Sequence, residues 1–174
     1  MKKLLAAMFV ALLMVGCGGE INQPNFEKFV GPHGFMHDLS DPEVRERIFA
    51  KAIDYPDFER RFVDGHYTAF APGQQTPYTG WAKGMRKNGQ IRRLDQYKDG
   101  KKDGLVQVWY ENRQKRSEAK WKDGKLVTIV VWKPNGEKCP VTKVVNGNGV
   151  RTWYNDDGTE DFRVTIKDGE IVKE

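Results

Sequence analysis

The sequence predicts an all-β fold: an elongated antiparallel meander of hairpin repeats with one short N-terminal helix. Three observations carry this expectation. Asn-Gly or Asp-Gly pairs recur in two interleaved series at a fixed separation. The segments between them alternate in polarity with period two, the signature of half-buried strands. One stretch ahead of the repeats has apolar residues at helical spacing behind a capping Asp-Pro pair.

In chain order, residues 1–16 read as a targeting segment. Lys2 and Lys3 form a positive start, and the apolar run from Leu4 to Val15 is too short for a bilayer, which needs about 20 residues. Met14-Val15-Gly16-Cys17 is similar to a bacterial lipobox, which implies that Cys17 is diacylated and becomes the new N-terminus. Gly18, not Asp, follows it, as in lipoproteins sent to the outer membrane. The expected location is therefore the cell envelope, lipid-anchored through Cys17. Cys139 is the one other cysteine. With Cys17 acylated, the exported chain must fold without an internal disulfide, and Cys139 is expected to be a small buried hydrophobe.

Residues 17–40 are Gly/Pro-rich and aperiodic, as expected of a tether. His33 and His37 fall here, four apart, but Pro32 and Gly34 oppose the helix that a metal-binding pair at this spacing would need. Residues 41–75 should hold a helix from about Pro42 to Ile53 and a degenerate hairpin turning at Asp64-Gly65. Asp41 caps the helix, Pro42 fits its first position, and Tyr55-Pro56 stops it. Val44, Ile48, Phe49 and Ala52 form its apolar stripe.

Residues 76–174 form the repeat region. The first turns are Asn88-Gly89, Asn112-Arg113, Asn135-Gly136 and Asp157-Gly158, and the second are Asp99-Gly100, Asp123-Gly124, Asn146-Gly147 and Asp168-Gly169. First and second turns are always eleven residues apart, and successive units step by 24, 23 and 22 in both series. Asn-Gly and Asp-Gly favour two-residue type I′ turns, in which both central residues need positive φ. Both series are expected to be such hairpins, with Arg113 strained.

Strand parity then sorts the faces. A core face should collect Ala82, Ile91, Tyr97, Val106, Val108, Tyr110, Ala119, Trp121, Val127, Ile129, Val131, Val144, Trp153, Phe162, Val164 and Ile166. The second face carries Lys83, Arg92, Gln107, Arg116, Lys120, Lys143 and Arg163. It also presents Met85, Trp109, Trp132 and Tyr154, each three places before a first turn, with expected cross-strand partners Arg92, Arg116, Cys139 and Asp161. A twelve-residue helix is about 18 Å long, whereas four hairpins span about 38 Å. The helix therefore cannot cover this row, and Trp132 and Tyr154 should stay at least partly exposed.

The chain is basic, at +5. The surplus is uneven: residues 18–79 hold 6 Lys/Arg against 10 Asp/Glu, net −4, and residues 80–174 hold 21 against 14, net +7. That points to an acidic partner for the repeats or to docking of the two parts on each other. No Gly-x-Ser-x-Gly elbow, Walker loop or Cys-x-x-Cys pair is present, and the only serines are Ser40 and Ser117. Asp99, Asp123, Asp157 and Asp168 are accounted for by turn chemistry. The expectation is a protein without catalytic residues, metal or cofactor; an envelope enzyme is the weaker alternative. Basic residues interleave with aromatics, but export argues against nucleic acid and favours an anionic surface.

The phrases "YTGWAKGMRKNGQ", "YKDGKKDG", "VWYENRQK" and "KWKDGK" resemble bacterial MORN-variant repeats (membrane occupation and recognition nexus), of the kind found in YwqK-family antitoxins of toxin–antitoxin systems. The resemblance spans about residues 76–174. It implies an elongated repeat sheet used for protein–protein or protein–membrane contact. The expected function is a non-catalytic envelope lipoprotein whose sheet is an interaction module, with a toxin-neutralising antitoxin as the alternative. The candidate partner-binding residues are Met85, Trp109, Trp132 and Tyr154 with Arg92, Arg116, Lys120, Lys143 and Arg163; the candidate lipidation site is Cys17.

Overall fold

The computed structural model describes residues 29–30, 36–37, 39 and 41–172. Cys17, the leader before it and His33 lie outside the described residues. Strands β1 (Phe29–Val30) and β2 (Met36–His37) pair with each other, and helix α1 spans Pro42–Lys51. There follow β3 (Ile53–Asp54), a 3-10 turn (Tyr55–Asp57), β4 (Glu59–Val63) and β5 (His66–Phe70). The repeats supply β6 (Gly80–Met85), β7 (Ile91–Lys98), β8 (Lys101–Trp109), β9 (Lys115–Lys122) and β10 (Lys125–Val131). They end with β11 (Lys143–Val145), β12 (Asn148–Tyr154), β13 (Glu160–Lys167) and β14 (Glu170–Ile171).

The fold is the expected meander: β6 to β14 lie side by side in sequence order, each antiparallel to its neighbours, within one ten-stranded sheet. Its other edge is β3, added parallel to β6 through Ile53↔Ala82. Both edge strands are two residues long, which limits the unpaired backbone offered to other chains. The Asp64-Gly65 hairpin forms as β4–β5 but stays outside the main sheet. Helix α1 begins as the sequence implied, with Asp41 Oδ1 accepting from the backbone of Glu43 at 2.8 Å.

The two turn series differ in kind. In the second series both residues have positive φ, 48° and 75° at Asp99-Gly100 and 51° and 80° at Asp168-Gly169, as type I′ requires. In the first series only Gly89, Arg113, Gly136 and Gly158 do. Arg86 N–H donates to Gln90 O at 2.7 Å while Arg86 O accepts from Gly89 N–H at 2.9 Å, and the same pair of bonds recurs around Tyr110, Lys133 and Asn155. These are three-residue loops, a type I turn closed by a left-handed residue, and they correct the two-residue expectation. The cause is local. Asn88, Asn112, Asn135 and Asp157 each accept, through the side chain, the N–H two residues on, holding the loop in this form.

This shifts the pairs beside the first turns by one residue. Met85 pairs with Ile91, not Arg92; Trp109 with Lys115, not Arg116; Trp132 with Lys138, not Cys139; Tyr154 with Glu160, not Asp161. At three of these hairpins a bulge then restores the expected register, giving Gly84↔Arg93, Val108↔Ser117 and Trp153↔Phe162. Arg92, Arg116 and Asp161 are the residues left unpaired by those bulges.

The first face buries Val106, Ala119, Leu126, Ile129, Val131, Val144 and Ile166, with Trp121 and Val164 packed against them. Leu126 replaces the expected Val127, because a bulge between Leu126↔Trp121 and Thr128↔Lys120 displaces Val127. Ile91, also expected there, instead joins the second-face cluster under helix α1, where Ile48 and Ala52 meet Trp81, Leu94 and Leu105. Trp121 and Trp109 thus fall in different clusters on opposite faces, as the register required.

Candidate functional site

The sheet is curved enough for one cavity, of about 290 Å³, to be lined from β7 through β12. Those strands are five spacings apart in the sheet, or about 24 Å if it were flat. Its wall holds five arginines, Arg86, Arg92, Arg93, Arg116 and Arg151, with Ser117, Thr152, Trp153 and one carboxylate, Asp156.

Each arginine is held in place differently. Arg93 donates from Nε to Asp95 Oδ1 at 2.6 Å. Arg86 reaches Trp109 O at 2.9 Å and Glu111 at 3.2 Å. Arg116 donates to Tyr154 O at 2.8 Å and lies over the Tyr110 ring. Arg151 has its guanidinium carbon 3.8 Å from the centre of the Trp153 ring, which stacks on Phe162 at 4.3 Å. No carboxylate lies within ion-pair distance of Arg92, Arg116 or Arg151 among the described residues. Burial first, then the charges of Arg93 and Arg116, push the Arg151 guanidinium down to about 9. A guanidinium does not give up its proton in a protein, so this position carries an unmet demand for negative charge. Arg86 Nε and Arg151 Nε, both in residues of the lining, are buried without a protein partner.

Next to the cavity, Asp95 is fully buried and receives Lys102 at 3.0 Å as well as Arg93. The Tyr55 hydroxyl donates to its other oxygen and contacts Tyr97. Burial raises the Asp95 carboxyl, but Arg93 and Lys102 outweigh it and hold the group below the usual carboxylate range.

The row expected on the second face does not form one continuous exposed stripe. Met85 is exposed, and Trp109 is half-buried against the helix cluster. Trp132 is half-buried, with Lys115 Nζ 5.4 Å from its ring centre. Tyr154, expected to be partly exposed, is 5% exposed and joins the first-face cluster, its hydroxyl 3.2 Å from Cys139 Sγ. Packing against buried Cys139 covers it. Cys139 is buried, as anticipated. Lys143 and Arg163 are exposed, the latter paired with Glu160, and Lys120 is half-buried. Arg92 and Arg116, expected on the second face, line the first-face cavity because they are bulge residues.

Arg93, Asp95 and Arg151 were not singled out from the sequence as site residues. The signal was present: all three are charged residues at positions whose parity faces the core. Among the described residues no group of three or more His, Cys, Asp or Glu could hold a metal ion, and no helix is long and apolar enough to cross a membrane. No family model, curated protein or solved structure matches the chain.

Proposed function

We propose that the chain is a lipid-anchored protein of the bacterial envelope, tethered through an acylated Cys17, whose repeat sheet is a non-catalytic interaction module. The observation that carries this reading is the uneven cover of the second face. Helix α1 packs on Trp81, Leu94 and Leu105, the β6–β8 end only. Farther along, the same face holds half-buried Trp132 beside Lys115, then exposed Lys143, Val145 and Arg163. Apolar and aromatic contact area among cations suits an acidic protein surface, with the aromatic as anchor and the cations steering the encounter. The resemblance to MORN-variant repeats supports the same reading, since such sheets are contact surfaces.

The test is crosslinking in intact envelope membranes, comparing the wild type with Trp132→Ala/Lys143→Glu/Arg163→Glu. The expected result is a defined crosslinked protein lost in the triple variant, whose melting curve stays close to wild type because all three sites are at least partly exposed. Equal crosslinking in both would overturn the assignment of this face.

A further inference from the structure

The opposite, concave face supports a separate conclusion. We propose that the cavity lined by Arg92, Arg116 and Arg151 is a binding site for a phosphate group, either free phosphate or a phosphomonoester. Three arginines from three different strands converge there, and no carboxylate lies within ion-pair distance of any of them among the described residues. A carboxylate ligand has one charge and two oxygens, which a single guanidinium fork satisfies. A phosphoryl group has close to two charges and three strong acceptor oxygens pointing in different directions. That matches guanidiniums arriving from separate strands.

Ser117 adds a hydroxyl to the wall, whereas Thr152, alternating with Arg151 and Trp153 on β12, turns its side chain to the other face and lends only backbone. Arg93 and Arg86 are already partnered by Asp95 and Glu111, so they contribute field more than free donors. Asp156 is the one opposing charge in the lining. At about 290 Å³ the cavity sits at the small end of ligand sites and has room for a phosphate group. Arg151 is fixed on the Trp153 ring, so a donor already ordered in the empty state meets the ligand. Arg86 Nε and Arg151 Nε also lack a protein partner, an arrangement that is otherwise costly.

The experiment uses the full chain in neutral-detergent micelles. The melting temperature is followed against inorganic phosphate and against chloride at matched ionic strength. The expected result is a rise with phosphate that chloride does not give. In Arg151→Gln the phosphate affinity should fall by about ten- to a hundredfold, the loss of one charge-assisted contact. The same variant should melt higher than wild type in chloride, because it no longer holds three guanidiniums together. Arg92→Gln, at an exposed bulge position, supplies a variant whose folding is not in question, and its affinity should fall as well.

A wild type indifferent to phosphate, or an undiminished response in both variants, would overturn the proposal. A second arm separates the sources with phosphatidylcholine vesicles, plain or containing phosphatidic acid. Flotation with phosphatidic acid that free phosphate competes away assigns a lipid headgroup. A phosphate response without flotation assigns a soluble ligand. Neither arm involves the second face, so its failure is distinct from failure of the crosslinking experiment.

Discussion

Arg93 and Asp95, two residues apart on β7 and on the same face of the sheet, are joined by a 2.6 Å hydrogen bond from Nε to Oδ1. Asp95 is fully buried, and Lys102 and Tyr55 complete its shell. A charge removed from water in this way is tolerated only with its partners in place. Asp95→Asn leaves Arg93 and Lys102 facing each other without their anion. Its expected cost is about 3–5 kcal/mol, read from urea unfolding; a change below 1 kcal/mol would mean that water already solvates the cluster.

The same carboxylate makes a pH prediction. Its folded pKa is depressed, so its contribution is present above the unfolded value of about 3.9 and is lost as pH falls through the lower folded value. Stability of the wild type should therefore decline on acidification below about pH 4 more steeply than that of Asp95→Asn. Parallel pH profiles for the two proteins would contradict the assignment.

The glycines of the two turn series should not tolerate substitution equally. A Cβ on Gly89 meets nothing within 4 Å, and on Gly136 or Gly158 nothing nearer than 3.8 Å. A Cβ on Gly169 would lie 2.7 Å from Lys125 Cβ and 2.9 Å from Leu126 O; on Gly147 it would meet Gly169 N at 2.8 Å. Three of the four second turns are packed this closely, Gly100 against Thr68 among them, while a Cβ on Gly124 would meet only Lys101 Cβ at 3.9 Å; Gly147 N–H donates to Val127 O and Gly169 N–H to Gly147 O, both at 2.9 Å. So Gly89→Ala should cost about 1–2 kcal/mol, the left-handed backbone alone, and Gly169→Ala clearly more. Arg113, at φ 69°, occupies the series with open space, and Arg113→Gly should stabilise by about 0.5–1 kcal/mol, strain relief less the entropy of glycine. Equal losses at Gly89 and Gly169 would refute this division.

That division also explains how much was legible in the sequence. Asp-Gly and Asn-Gly at eleven-residue offsets announced the meander, because few other backbones accept a positive φ at both residues. The same dipeptides hid the difference between the series. Asn88 satisfies the backbone two residues on through its own side chain, so Asn-Gly suits a three-residue loop as well as a two-residue one. The register survived because the bulges at Arg92 and Arg116 cancelled the shift, but those bulges also carried both arginines to the other face. The face chosen by helix α1 was not legible, since Leu94 and Leu105 alternate with the first-face residues and looked like the apolar minority of a mixed surface. Arg151 and Asp95 were visible as charges at core positions, but parity alone does not say that they share a curved wall.

Leu126 and Val127 give a direct test of the bulge in β10. Leu126 is 2% exposed within the first-face cluster, and Val127 is displaced to a half-exposed position. Leu126→Ala should cost about 2–5 kcal/mol by lost burial and the cavity left behind. Val127→Ala should cost about 1 kcal/mol or less. A regular strand would reverse the order, so the two chemical-denaturation midpoints decide between them.

The proposed anchoring of the chain rests on the sequence of residues 1–18 and is tested apart from the sheet. Lys2 and Lys3 precede an apolar run from Leu4 to Val15 that is twelve residues long, against the roughly 20 that a helix needs to cross a bilayer. Gly16-Cys17 closes it, and Gly18 in place of Asp directs the product outward in the lipoprotein reading. A single acyl chain binds membranes only marginally, whereas two or more hold stably, so diacylation at Cys17 is the feature that would keep the sheet at the membrane. Cells fed a fatty-acid probe should label the wild type and leave Cys17→Ser unlabelled, with the variant released from the outer-membrane fraction. Cys139, the remaining cysteine, is buried and cannot substitute as an acylation site. Equal labelling of the two proteins, or retention of Cys17→Ser in the membrane fraction, would remove the anchor from the account and leave the interaction surfaces to be assigned in a soluble context.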